Sequence, residues 1–249
     1  MGFETAVADG VLRLRRPDTR WLSTGWDGGF ADAPAAYNVS VPEGWERTDL
    51  DAYATERLAD AGFAGTGGDP AGPALLTGVD MPHARVARSG SVVAVATAGV
   101  SNPAALPMAA DSEDAGAPTP ETDAERGSDG VGRGTVNVLV ATTRRLDDGA
   151  LANLVAVAAE AKAATLLATT GFPGTTTDAV VAGSARDGEP ATFSGSATPV
   201  GSAARVCVRD AVRASLESRY AAGDATVPDS VADAEHGVVT DREAEVTRP

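Results

Sequence analysis

Residues 134–142 read GTVNVLVAT and residues 149–165 read GALANLVAVAAEAKAAT; the fold turns on these two stretches. The first is a valine-rich run opened by glycine and closed by threonine, the composition of a buried strand. In the second, Leu151, Leu154, Val155 and Ala158 keep helical spacing on a dense alanine background, which predicts a helix. A short strand over 178–182 follows. Upstream, Leu12 and Leu14 alternate with arginines, and residues 20–24 form a second candidate strand. Residues 49–61 fit a helix capped by Asp49 or Thr48, with Leu50, Tyr53, Ala54 and Leu58 on one face. Residues 84–98 read as two strands around the turn Arg88-Ser89-Gly90. Residues 201–220 read as an amphipathic helix carrying Val206, Val208, Ala211, Val212 and Leu216. Strands come in pairs as well as singly, so pure strand–helix alternation does not fit. The pattern predicts an α+β (mixed α/β) fold: one domain over residues 1–220, its mixed sheet covered by about three helices. Two strand–helix–strand halves, 20–100 and 134–184, are the alternative organisation.

Two segments lack the apolar groups needed to offset ordering entropy. Residues 111–133 read DSEDAGAPTPETDAERGSDGVGR and carry seven acids and two arginines, net −5. Residues 221–249 have the same balance. Both are expected to be disordered, the first as an acidic insertion and the second as a C-terminal tail. They supply most of the −15 net charge of the 249-residue chain and leave −5 for the remainder. Among 20 basic residues Lys162 is the only lysine, although lysine is ordinarily among the commonest residues. Replacing lysine removes exposed hydrocarbon that molar salt would drive together, so the composition reads as halophilic. With this charge and no basic cluster, nucleic acid is not an expected partner. No stretch reads as a membrane span, and residues 1–10 lack a signal-peptide core, so a cytoplasmic protein is expected. One cysteine, Cys207, and two histidines, His83 and His236, leave little for a metal site, and none is expected. Cys207, between Val206 and Val208, reads as a small core residue.

The informative residues are small polar ones in glycine-rich turns. Four clusters stand out: LSTGWDGG at 22–29, followed by Tyr37-Asn38-Val39; TAGVSNP at 97–103; GTVN at 134–137; and GTTTD at 174–178. Such turns bring backbone N–H groups and short hydroxyls close to a ligand. The last is not a phosphate-gripping loop, since it lacks the GxxxxGK[ST] spacing and leads into a strand. Glu160 and Lys162 are two residues apart on their helix and point to different sides. A single retained lysine suggests a task arginine cannot perform, either proton transfer or presentation of a compact ammonium.

Taken together, these blocks, the Ala159-Glu160-Ala161-Lys162 helix and SGSATPVG at 194–201 resemble the adenosylcobinamide amidohydrolase family. The resemblance covers residues 5–220 apart from the acidic insertion. Two positions depart from it: Ala159 stands where the family has threonine, and Asp27 where asparagine is expected. The resemblance implies hydrolysis of the amide joining the corrinoid propionyl arm to aminopropanol, which yields adenosylcobyric acid for cobalamin salvage. It implies a small-molecule corrinoid as partner, with cobalt belonging to the substrate and no cofactor; a homo-oligomer is left open. Such chemistry needs an attacking group, oxyanion donors and a proton for the leaving amine. Glu160, Lys162, Asp178 and Thr177 are the expected catalytic residues. Glu160, or else Asp178, activates water for direct attack, with Glu160 the first choice, and Lys162 delivers the proton to the amine or is the base for a hydroxyl nucleophile. A covalent route through Thr177, Thr175 or Ser101 is the alternative. Ser23, Thr24, Gly28, Gly29, Thr97, Ser101, Asn102, Thr135, Asn137 and Thr175 are expected to hold substrate, with Asn102 and Asn137 as oxyanion donors. Trp26, inside the first glycine-rich turn, is the tryptophan best placed to cover a flat corrin face. A non-catalytic corrinoid-binding protein and a threonine-dependent amidase of other specificity are the competing readings.

Overall fold

The computed structural model describes residues 2–42, 45, 47–64, 72–108, 134–221, 223 and 225–249, so the expected insertion at 111–133 lies outside the described residues. Its strands are β1 (Glu4–Ala8), β2 (Val11–Ser23), β3 (Gly29–Ser40), β4 (Ala74–Thr77), β5 (Arg85–Ser89), β6 (Val92–Ala98), β7 (Pro103–Ala105), β8 (Val136–Thr142), β9 (Gly174–Thr175), β10 (Ala179–Ala185) and β11 (Val238–Val239). Its helices are α1 (Leu50–Asp60), α2 (Asp148–Thr170) and α3 (Pro199–Tyr220). The main sheet is mixed and runs β4-β3-β2-β10-β8-β6-β5, with β1 added along β2. Every residue of β6 and β8 is buried, because both faces of these central strands are covered.

The pairs β3–β4 and β8–β10 are parallel, with α1 and α2 as their crossovers. The strand–helix–strand alternative thus has a physical counterpart in two crossover units inside one mixed sheet. The two strands expected near Leu12 and at 20–24 are one bent strand. Between Arg15 and Thr19 its register against β3 shifts, so that Arg16-Pro17-Asp18 oppose Pro34 alone. Neither proline can donate to the ladder, and Asp18 takes a φ of +55°. Beyond this bulge the alternation changes parity. Leu12 and Leu14 before it and Trp21 after it enter the same core.

That core lies inside a curl of the sheet, where Leu75 of β4 joins Val95 of β6, Leu139 of β8 and Val181 of β10. The outer surface is covered twice. Helices α2 and α3 pack on the alternate residues of β6, β8 and β10, such as Ala94, Val138 and Ala182. Helix α1 covers Val11, Tyr37, Val39 and Leu76 through Tyr53 and Leu58. Burying such large side chains stabilises by roughly 1.5–3 kcal/mol each.

Helix ends follow local chemistry. The Asp147 side chain accepts from Ala150 N at 2.7 Å to start α2, and Gly171 ends it at a φ of +81°. Thr198 accepts from Gly201 N at 3.0 Å to start α3, with Pro199 in its first turn. By length and composition α2 is apolar enough to cross a membrane, with a mean hydropathy of 1.5. Here it is a core helix, with Leu151, Leu154 and Ala158 packed against the sheet and α3. Within 221–249, the segment expected to be disordered, the structure describes a short 3-10 turn at Val231–Asp233 and a further strand. Val238 and Val239 pair in parallel with Ala104 and Ala105, giving a small second sheet of order β11-β7-β9. Two adjacent valines suit an added edge strand, whereas the acidic composition averaged over the whole segment hides them.

Candidate functional site

Strand register brings the four clusters to one end of the sheet. Thr97 pairs with Asn137, Asn137 with Ala179, Val181 with Ser23, and Ser23 with Gly29. Three polar environments occupy this end.

The first is charged. Lys162, on the third turn from the end of α2, points its ammonium at Asp178 Oδ2. Their side chains are only 10% and 12% exposed. Asp178 Oδ2 also accepts from Thr175 N at 3.1 Å. Its Oδ1 accepts from Val136 N at 2.9 Å and from the Thr175 hydroxyl. Four donors therefore converge on one carboxylate, and three belong to the GTTTD and GTVN blocks. The close approach explains a glycine: a Cβ on Gly174 would sit 2.9 Å from Asp178 Oδ2. Beside this centre the exposed Thr177 shares a 2.8 Å hydroxyl hydrogen bond with buried Thr135. The Asn102 carbonyl accepts from Thr176 N at 3.2 Å, and its side-chain oxygen accepts from His236 N at 3.3 Å. Ser101 abuts Gly134, which takes a φ of +101° and where a Cβ would lie 2.4 Å from Ser101 N. The expected residues Lys162, Asp178, Thr175, Thr177, Thr135, Asn102 and Ser101 thus gather around one loop system.

A second environment is neutral and sealed. Asn38 Nδ2 donates to Thr97 Oγ1 at 2.8 Å, and Thr97 Oγ1 donates to Thr77 Oγ1 at 3.4 Å. Asn137 Nδ2 donates to Asn38 Oδ1 at 3.0 Å and to Leu76 O at 2.8 Å. None of these four side chains is more than 2% exposed. Thr97 and Asn137, expected to hold substrate, are bonded here to protein groups, while Asn137 Oδ1 has no hydrogen-bond partner among the described residues. They lie on the inner face of the curl, where their polar atoms join β4 to β8 across the concave side. Of their partners, Asn38 was singled out with the first cluster but not as a partner, and Thr77 was missed; a threonine closing the apolar run of β4 was the available signal.

The third environment is an open cleft of about 450 Å³ between the 22–29 turn and α1. Ser23, Gly28 and Gly29 line it with Trp26. A Cβ on Gly28 would strike Ser23 O at 2.6 Å, and Gly29 takes a φ of +111°, so the turn requires both glycines. Thr24 faces the neighbouring strand instead. Its N–H donates to Val180 O at 3.0 Å, and its hydroxyl accepts from Val180 N at 2.9 Å.

Glu160 is placed elsewhere. It lies on the exposed side of α2 and pairs with Arg205 of α3, its side chain 59% exposed. Two residues along a helix is more than half a turn, so a buried Lys162 turns Glu160 outward. Glu160 was expected as a base in a closed site; the structure sets it on an exposed helix face instead. Cys207 is buried and its Sγ–H donates to Val92 O at 3.8 Å. Burial pushes its thiol up to about 11, so it is an inert core group at neutral pH.

Sequence and structure comparisons place these features among known proteins. Residues 3–224 match the family model described as adenosylcobinamide amidohydrolase. The chain is 59% identical over 247 residues to the adenosylcobinamide amidohydrolase of Halobacterium salinarum, covering 99% of this chain and 100% of that one. It is 26% identical over 212 residues to the adenosylcobinamide amidohydrolase of Methanosarcina mazei, covering 81% and 92%. A crystal structure of a Pyrococcus horikoshii protein aligns at 12% identity with a TM-score of 0.40, over 86% of this chain and 78% of that one.

Proposed function

The chain belongs to the adenosylcobinamide amidohydrolase family, and from that premise we propose that it cleaves the aminopropanol amide of adenosylcobinamide to give adenosylcobyric acid. It is a hydrolase acting on an amide carbon–nitrogen bond, and its lysine-poor composition matches a salt-adapted relative. The observation that carries the reading is the Lys162–Asp178 pair, the chain's one ammonium side chain buried against a carboxylate held by three further donors.

The geometry supports a proton circuit built on this pair. All four lone-pair sites of Asp178 have donors, so attacking water reaches it through Thr175. Water adds to the amide carbon and its proton passes to Thr175 Oγ1, whose own proton moves to Asp178 Oδ1. As the C–N bond breaks, Lys162 gives a proton to the departing aminopropanol nitrogen. Through solvent, Asp178 Oδ1 then gives up its proton and Lys162 Nζ, which faces Oδ2, takes one up, so both groups are restored. Lys162 also offers positive charge to the oxyanion until it donates. Thr177, whose hydroxyl partner is Thr135 and not a base, is placed to bind substrate. The route uses no metal or cofactor; cobalt enters with the substrate. A cytoplasmic location is part of the same reading.

Incubation of the protein with adenosylcobinamide in molar salt tests it. Mass spectrometry should find adenosylcobyric acid and free aminopropanol. Retained binding without either product overturns hydrolysis and leaves a corrinoid-binding protein.

A further inference from the structure

The proton circuit leaves the 450 Å³ cleft between the 22–29 turn and α1 without a task. We propose that this cleft seats the adenosyl group of the substrate, a neutral purine nucleoside, and so selects the adenosylated corrinoid; the inference rests on the activity proposed above.

Size is the first argument. A volume of 450 Å³ is at the small end of the roughly 300–1,000 Å³ of small-molecule pockets. That volume suits a nucleoside, so Trp26, expected to cover a corrin face, can meet a smaller ring instead.

Lining chemistry is the second. Trp26 Nε1 donates to Asp51 Oδ1 at 2.9 Å, which fixes the indole plane at the wall. Phe30 adds an aromatic ring that is 45% exposed, steadied by the Arg20 guanidinium 4.7 Å from its centroid. Purines stack on such rings whatever their hydrogen-bonding edge. Asp27, Asp51 and Thr55 supply polar groups, and among the described residues neither aspartate pairs with a cation. Two uncompensated carboxylates repel phosphates and acids but accept hydrogen bonds from a ribose diol.

Position is the third. Ser23, in the cleft wall, pairs with Val181, three residues along β10 from Asp178. At about 3.3 Å per residue, the Ser23 wall of the cleft and Asp178 are offset by about 10 Å along the strand direction, at the same end of the sheet. One substrate can therefore reach both, nucleoside in one and amide at the other.

The experiment compares kcat/KM for adenosylcobinamide and for cobinamide bearing a cyano upper ligand, in wild type, Trp26→Ala and Asp51→Asn. Wild type should prefer the adenosyl form. Trp26→Ala should reduce that preference about 10-fold, the loss expected from one stacked base. Asp51→Asn keeps the side-chain shape and should reduce it less. A wild type indifferent to the upper ligand, or variants that slow both substrates in equal proportion, would overturn the proposal; the second outcome means that the cleft holds the corrin periphery. Titration with 5′-deoxyadenosine, followed by tryptophan fluorescence, separates this proposal from the reaction itself. Quenching present in wild type and lost in Trp26→Ala supports the seat even if neither substrate is hydrolysed. Absence of quenching at millimolar nucleoside, or equal quenching in Trp26→Ala, counts against it.

Discussion

The buried Asn38–Thr97–Asn137–Thr77 network and the Lys162–Asp178–Thr175 centre are made of similar material. Each draws on glycine, threonine and asparagine blocks at one end of the sheet, and each is shielded from solvent. Their partners differ. In the network, neutral amides and hydroxyls bond to one another and to Leu76 O across the curl, and only Asn137 Oδ1 among its amide oxygens is left without a hydrogen-bond partner among the described residues. In the charged centre, four donors on one carboxylate fix an ion pair whose lysine can exchange a proton with a ligand. A buried polar group is thus a structural device when its partner is another fixed neutral group. It becomes a chemical one when the arrangement stores a movable proton.

That contrast can be broken at several points. Lys162→Ala should remove the proton donor and lower kcat by about 10²–10⁴-fold, measured with adenosylcobinamide at saturation. Unchanged circular dichroism would show that the fold survives. Lys162→Arg should restore little, since an arginine is effectively never deprotonated. Thr175→Val keeps the shape and cuts the relay, so about 10²-fold in kcat is expected, with recovery in Thr175→Ser. If Thr175→Val turns over at the wild-type rate, water reaches Asp178 by another path. Asn38→Ala should show the opposite profile. It leaves Thr97 and Asn137 with lost partners and costs ~1–3 kcal/mol, which at about 2–4 °C per kcal/mol is visible in a melting curve. Its kcat per folded molecule should hold; a large kcat loss with normal stability would make the network part of the chemistry. Glu160→Gln should do least. An exposed pair with Arg205 contributes about 0–1 kcal/mol, and rates should stay near wild type. A hundredfold loss there would reinstate Glu160 as the base.

Much of this arrangement was legible in the residues. Helix α2 declared itself by leucine spacing, and Lys162 by the absence of every other lysine. Strands β5 and β6 followed from valine runs around Arg88-Ser89-Gly90. Strand β3 did not, because GFADAPAAYNVS has alanines and a proline where a strand signal wants branched residues. Its place is set by β2 on one side and β4 on the other, which are tertiary facts. Glu160 and Lys162 could be told apart as facing different ways, yet only packing decides which one is buried. Thr97 and Asn137 were read as site residues because residue type does not reveal whether a partner is ligand or protein. The curl brings Leu76 of β4 within 2.8 Å of Asn137 on β8, a contact 61 residues apart in sequence that no local pattern encodes.

The sole lysine also makes this protein a single-address molecule. An amine-reactive reagent has one side chain to find, and that side chain is buried in the charged centre. Its rate of labelling therefore reads the accessibility of the reacting ammonium, and a bound corrinoid should slow it. A lysine-specific protease likewise has one bond to cut, between Lys162 and Ala163, in the middle of α2. Cleavage there demands that the helix unwind from the sheet, so a simple digestion time course measures how often the core opens.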